Sequence, residues 1–239
     1  MRTIKKRNEP LSYVEWRAPR VAASAAPGMV CNYAELRRHP AVIQAVEDGL
    51  LAEQGSICAY TGVRIGPGSF HIEHLKPQKH CAYGEDADYR NLVACWPEPD
   101  CPFEPEYGAR KKGGWPSPDE TALFVSPLSP ACGGRFLFNR HGEIDAANSV
   151  DAAAKETIRR LGLDHRTLTE YRRQAIRGAL SPRSKPIRLT DARRLLRRLD
   201  ADAEQVDNGG AIMLSPFCFA IRQVVAKEIK KLEAIVKKP

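Results

Sequence analysis

The chain has 239 residues, 43% hydrophobic and 28% charged, which is ordinary for a globular protein and long enough to bury a sizeable core. No apolar run approaches the length of a membrane span, and the basic residues 1–7 are not followed by an apolar stretch, so the chain is expected to be cytoplasmic, with no membrane partner. Seven cysteines, an odd number in such a chain, favour reduced thiols or metal ligands over a disulfide framework.

The net charge of +8 is uneven: residues 151–239 carry 20 Lys and Arg against 11 Asp and Glu, whereas residues 1–150 carry 17 against 18. A basic face attracts a phosphate backbone whatever its sequence. A solvated helical surface explains the same bias, and charge alone leaves both readings open.

Pro10, Pro19 and Pro27 are expected to break any long element in the first thirty residues. A helical pattern follows, with Asn32 as its cap, apolar positions from Tyr33 to Leu51 at three- and four-residue spacing, and Pro40 splitting it in two. Residues 55–115 are rich in Gly, Pro, Cys and His. There residues 57–60 and 70–75 read as short strands, and residues 89–94 begin another ordered element. Residues 123–125 and 135–138 also read as strands, and Gly142 suits a turn into Glu143 and Ile144. From about Ser149 the pattern is helical. Thr190 is placed to cap a helix with Ala192, Leu195, Leu196, Leu199 and Val206 on one face and Arg193, Arg194, Arg197 and Arg198 on the other. A last helix from near Pro216 is expected to bury Ile221, Val224, Val225, Ile229, Leu232 and Ile235. The division that follows is a helical and irregular region over 1–54, a central unit over 55–148, and a basic helical region over 149–239.

The central unit concentrates the chemistry. In order it holds Cys58 and Thr61, then His71-Ile72-Glu73-His74 with Pro77, then Asn91-Leu92, Cys95 and Cys101, and then Lys111 and Lys112. An acidic residue directly before a histidine, a proline three residues on, and Asn-Leu seventeen residues later resembles the layout of an HNH nuclease. With "EQGSICAYTG", "FHIEHLKPQ", "DYRNLVAC", "VSPLSPACGGRFLF" and the late "SPFC" taken in order, most of the chain is similar to the HNH proteins found beside ATPases in bacterial anti-phage systems, namely Septu and the related retron-associated modules.

The resemblance implies an α+β chain with a small ββα-metal core in a mostly helical body. It implies a hydrolase that cuts phosphodiester bonds in nucleic acid, most simply double-stranded DNA, and an ATPase partner. By motif, Glu73 becomes a ligand of one Mg²⁺ or Mn²⁺, His74 the general base, and Asn91 the brace of the loop that orients the histidine. Lys76, Lys111 and Lys112 become phosphate contacts, with Arg193 and Arg197 guiding DNA. These residue types suit phosphodiester hydrolysis, because a neutral histidine accepts a proton from water near pH 7 and a hard cation stabilises a leaving oxygen.

His71 lies two residues before Glu73, on the same face of a strand, and is either a second metal ligand or a histidine packed beside the site. The helix ligand that many HNH proteins place before the lysines is missing, which leaves water, or one of His71, Glu98 and Asp100, to complete the metal site, or leaves that site impaired. Structural zinc would need Cys58, Cys95, Cys101 and one of Cys81, Cys132 or His80, because Thr61 stands where a second cysteine belongs. Otherwise these cysteines are ordinary buried thiols. The rival readings from other classes are a catalytically weak DNA-binding or scaffold subunit and a zinc-stapled adaptor.

Overall fold

A computed structural model describes residues 1–22 and 29–236. Its helices are α1 (Leu11–Ala22), α2 (Tyr33–Leu36), α3 (Pro40–Gln54), α4 (Ala109–Lys112), α5 (Ala152–Leu161), α6 (Arg166–Leu180), α7 (Leu189–Asp207) and α8 (Cys218–Val236). Its strands form two antiparallel pairs, β1 (His71–His74) with β2 (Leu92–Cys95), and β3 (Phe136–Phe138) with β4 (Ile144–Ala146). The chain is therefore α+β and mostly helical.

The local signals explain several boundaries. The Asn32 side chain accepts a hydrogen bond from the Glu35 amide at 2.7 Å and caps α2. Pro40 opens α3, where its missing N–H costs nothing, and Gly55 ends it at φ 61°. Other boundaries differ from expectation. Helix α1 runs through Pro19, because Pro19 and Glu15 are both exposed and the carbonyl left without a donor faces water. Pro27 lies outside the described residues. Thr190 is not a cap: α7 begins at Leu189, one residue earlier, after the buried Ile187 is tied to the Leu180 carbonyl at 2.8 Å.

Residues 123–125 are not a strand. A 3-10 turn occupies Pro118–Leu123, and the Val125 amide bonds to the Thr157 hydroxyl of α5 at 2.9 Å instead of a strand neighbour. Residues 57–60 supply only a single bridge, Ile57 to Arg64, and then a tight turn closed by Gly62 at φ 78°. On α8, Ile235 is exposed and Leu232 only half-buried.

The core is continuous across all three stretches of sequence. Tyr13 and Leu50, then Leu92 and Phe136, then Leu161 and Val225 belong to one buried cluster. The β1–β2 ribbon lies on α3. Its free edge is closed by two side chains and by the Ala59 amide, which donates to the Ala94 carbonyl at 3.1 Å. Gln54 at the end of α3 donates to the Ala94 carbonyl and accepts from the Ala94 amide, each at 2.8 Å, and Lys6 Nζ donates to the Leu92 carbonyl at 2.6 Å. Buried backbone groups left without such partners would destabilise the ribbon by roughly 1–3 kcal/mol each.

Lys6 also pairs with the buried Glu53, and burial pushes Lys6 down and Glu53 up. Next to it, the Arg7 guanidinium donates to the carbonyls of Ala52 (3.0 Å), Val206 (2.7 Å) and Gly210 (3.0 Å). Residues 2–7 thus clasp α3, β2 and the end of α7.

Candidate active site

Strand alternation places His71 and Glu73 half-buried on one face of β1 and Ile72 and His74 buried on the other. Across the ribbon His71 faces Cys95 and His74 faces Leu92. His71 Nδ1 donates to the Pro97 carbonyl, which fixes the tautomer and leaves Nε2 3.7 Å from Glu73 Oε2. Burial alone would lower the His71 pKa, but the Glu73 carboxylate beside it and its hydrogen bond to the Pro97 carbonyl raise it overall. Glu73 Oε1 is taken by Lys112 Nζ at 2.7 Å, and the same ammonium donates to the His74 carbonyl at 2.8 Å. Lys112 reaches inward because α4 is one turn long and enclosed by Gly108 (φ 74°) and Gly113 (φ 50°).

Two contacts hold the His74 ring. Its Nε2 donates to the Asp86 carbonyl at 2.8 Å, so Nδ1 carries the free lone pair. The Tyr33 ring meets it edge-on with centroids 4.7 Å apart. The Asp86 carboxylate in turn accepts from the Tyr33 amide at 2.9 Å. Asn91 secures the same loop: Oδ1 accepts from the Lys76 amide at 2.7 Å, and Nδ2 donates to the carbonyls of Lys76 (3.1 Å) and Glu85 (3.3 Å). Burial lowers the His74 pKa, with the Lys112 charge adding to the effect, so the ring is neutral at pH 7. Glu73 and His74 leave β1 on opposite sides, so one phosphate reaches both only across the end of the strand.

His71 Nε2 and Glu73 Oε2, 3.7 Å apart, could hold a single divalent cation, with water and substrate oxygens supplying its other ligands. A ring N–H anchored on a carbonyl is the usual second partner of a ligating histidine. Glu98 and Asp100 do not join them: among the described residues, no three His, Cys, Asp or Glu side chains come together as a metal-holding group. Arg110 pins their loop through the Glu98 and Pro99 carbonyls instead.

The donor set does not fit a four-ligand zinc site. Cys58 and Cys95 meet, but Cys81 lies against Asn91 and the Lys76 carbonyl, and Cys132 against the Arg2 carbonyl. Cys101 completes no cluster with them. Burial pushes the Cys58 thiol up, but hydrogen bonds from the Cys95 thiol, the Thr61 hydroxyl and the Thr61 and Trp96 amides outweigh it and bring the thiol down to about 6. Thr61 thus acts on Cys58 as a hydrogen-bond donor.

The cations divide. Lys112 is not a surface phosphate contact, because its side chain is 1% exposed and its Nζ is already shared between Glu73 and His74. Lys111 is exposed, and Lys76 is exposed but paired with Glu85. Arg193 is tied to Glu233 at 2.6 Å and joins α7 to α8, whereas Arg197 is exposed and has no carboxylate partner among the described residues.

Sequence reasoning missed Asp86 and Tyr33, whose contacts with His74 run through a backbone carbonyl and a ring edge and leave no side-chain motif. No family model and no curated protein matches the chain. No helix among the described residues is long and apolar enough to cross a membrane.

Proposed function

We propose that the chain is a metal-dependent endonuclease of the HNH type that hydrolyses phosphodiester bonds in DNA, as the nuclease effector of an anti-phage system working with an ATPase. The observation that carries this is the bracing of His74. A neutral, buried imidazole has one nitrogen committed to the Asp86 carbonyl through a loop secured by Asn91, beside a carboxylate and a second histidine.

His71 Nε2 and Glu73 Oε2 would hold one Mg²⁺ or Mn²⁺, which when bound stabilises negative charge on the leaving oxygen. His74 Nδ1 takes the proton from the attacking water, and its neutral state at pH 7 keeps it competent as a base. Asp86, Tyr33 and Asn91 hold the ring in one orientation. Exposed Lys111 and Arg197 attract the phosphate backbone.

A second reading has one specific support. The Lys112 ammonium already neutralises one oxygen of Glu73, as expected of a DNA-binding scaffold whose core has lost its metal. The test is plasmid cleavage by the purified chain in Mg²⁺ or Mn²⁺, with EDTA and His74→Ala controls, with and without a partner ATPase. Metal-dependent nicking that His74→Ala abolishes establishes the nuclease. DNA binding without cleavage in every condition establishes the scaffold.

A further inference from the structure

We propose that the cavity beside Asn91 is a subsite for one unpaired nucleobase of a bound strand; this rests on the nucleic-acid reading above. The cavity holds about 310 Å³, at the small end of ligand pockets: room for one base and none for a double helix. One side is formed by Leu75 and Lys76, which directly follow His74, and by Asn91. A base seated there brings its own phosphate to the end of β1, where Glu73 and His74 can both be reached.

The lining has the two characters a nucleotide requires. Leu75, Phe124 and Leu128 make an apolar interior. The Phe124 ring is held by the Trp115 and Tyr60 rings, both nearly perpendicular to it, at centroid distances of 5.2 and 6.3 Å. A fixed aromatic face stacks any base, independent of sequence. A polar group remains to meet a base edge. Ser126 Oγ accepts from the Leu128 amide at 3.2 Å and keeps its own hydrogen to donate.

The surroundings are cationic. Arg90 lines the cavity, and Lys79 lies against Gly114, beside the Pro116 wall; neither has a carboxylate partner among the described residues. Of the nearby acids, Glu85 is neutralised by Lys76 and Asp88 by Arg17 at 3.1 Å, which leaves the exposed Asp119 as an acid without a cationic partner among the described residues. An apolar slot with surplus positive charge at its edge suits a flat base on an anionic backbone. A base stacked within a duplex cannot enter, so the strand must be unpaired at that position.

The test uses the full chain in EDTA, so that nothing is cut. Fluorescence anisotropy compares a short DNA duplex carrying a single-nucleotide bulge with the same duplex fully paired. The bulged duplex is expected to bind about tenfold tighter, the order contributed by one base stacked on one aromatic ring. Thr121→Trp fills the cavity from an exposed position and is expected to abolish the preference while leaving affinity for the paired duplex unchanged. Phe124→Leu, which removes the flat face, is expected to weaken it as well.

Equal affinities in the wild type, or a preference that survives both substitutions, overturns the subsite. A bulge preference without metal-dependent cleavage keeps the subsite and overturns the nuclease; cleavage without the preference does the reverse. Binding of neither duplex overturns both.

Discussion

Lys112 Nζ lies 2.7 Å from Glu73 Oε1 and 2.8 Å from the His74 carbonyl oxygen, on a side chain that is 1% exposed. A fixed internal cation therefore sits on one oxygen of the carboxylate while the other faces His71. Lys112→Met keeps the stem and removes the charge. Breaking a fully buried pair costs about 3–5 kcal/mol, and because Glu73 keeps some solvent contact the expected loss is roughly 2 kcal/mol, read by thermal or urea denaturation. Adding Glu73→Gln to Lys112→Met is expected to restore most of it. Mn²⁺ is expected to raise the melting temperature of Lys112→Met more than that of the wild type. Equal shifts would mean that ammonium and metal do not share the carboxylate.

Asn91 acts on His74 at one remove, through the loop that presents the Asp86 carbonyl. Asn91→Ala deletes four hydrogen bonds from that loop and is expected to slow single-turnover cleavage by about 100-fold, the order lost when a reacting group is misplaced by about 1 Å. Affinity for a fully paired duplex, which cannot enter the cavity that Asn91 lines, is expected to stay within about twofold, since Asn91 carries no charge to a phosphate. A loss of affinity equal to the loss of rate would reassign Asn91 to substrate binding.

Asp151 gives a pH-dependent stability. The Arg135 guanidinium holds its carboxyl below the usual aspartate range, and Oδ1 also caps α5 by accepting from the Ala154 amide at 2.9 Å. The folded pKa is depressed, so the stabilisation is present above the unfolded value near 3.9 and is lost as pH falls through the folded value. Asp151→Asn retains a capping side chain without the charge, and is expected to flatten the decline in stability below about pH 4. Asp151→Ala, which also removes the cap, is expected to cost about 1 kcal/mol at pH 7. Parallel acid limbs in wild type and Asp151→Asn would remove Arg135–Asp151 from the account.

Features carried by side-chain identity and period were legible in the sequence. Asn32 as a cap, Pro40 as a helix start, and His71 with Glu73 on one strand face all follow from neighbours a few residues away. The apolar face of α7 follows in the same way, with Ala192, Leu199 and Val206 buried.

Features carried by the meeting of distant segments were not legible. Lys111 and Lys112 are chemically alike and adjacent, and only the placement of α4 decides which one turns inward. Arg172 reads as one more arginine of a basic helix, yet it is 2% exposed and donates to the Gly142 and Leu163 carbonyls, each at 2.7 Å. Lone backbone acceptors such as those of Asp86 and Pro97 have no residue signature at all. The cysteine spacing leaves zinc ligands and ordinary buried thiols both open, and only the structure shows Thr61 and the Trp96 amide reaching Cys58 as hydrogen-bond donors.

The clasp made by residues 2–7 makes the central unit non-portable. A cassette cut at residues 55–148 and grafted onto another carrier would carry β1, β2 and α4 but lose Lys6 and Gln54, leaving the Leu92 carbonyl and the Ala94 amide bare along the strand opposite His74. The same linkage gives α7 leverage. Arg7 grips the carbonyls of Val206 and Gly210, and its neighbour Lys6 grips Leu92. A load applied at the end of α7 therefore reaches β2, the partner of the histidine strand, through two adjacent side chains.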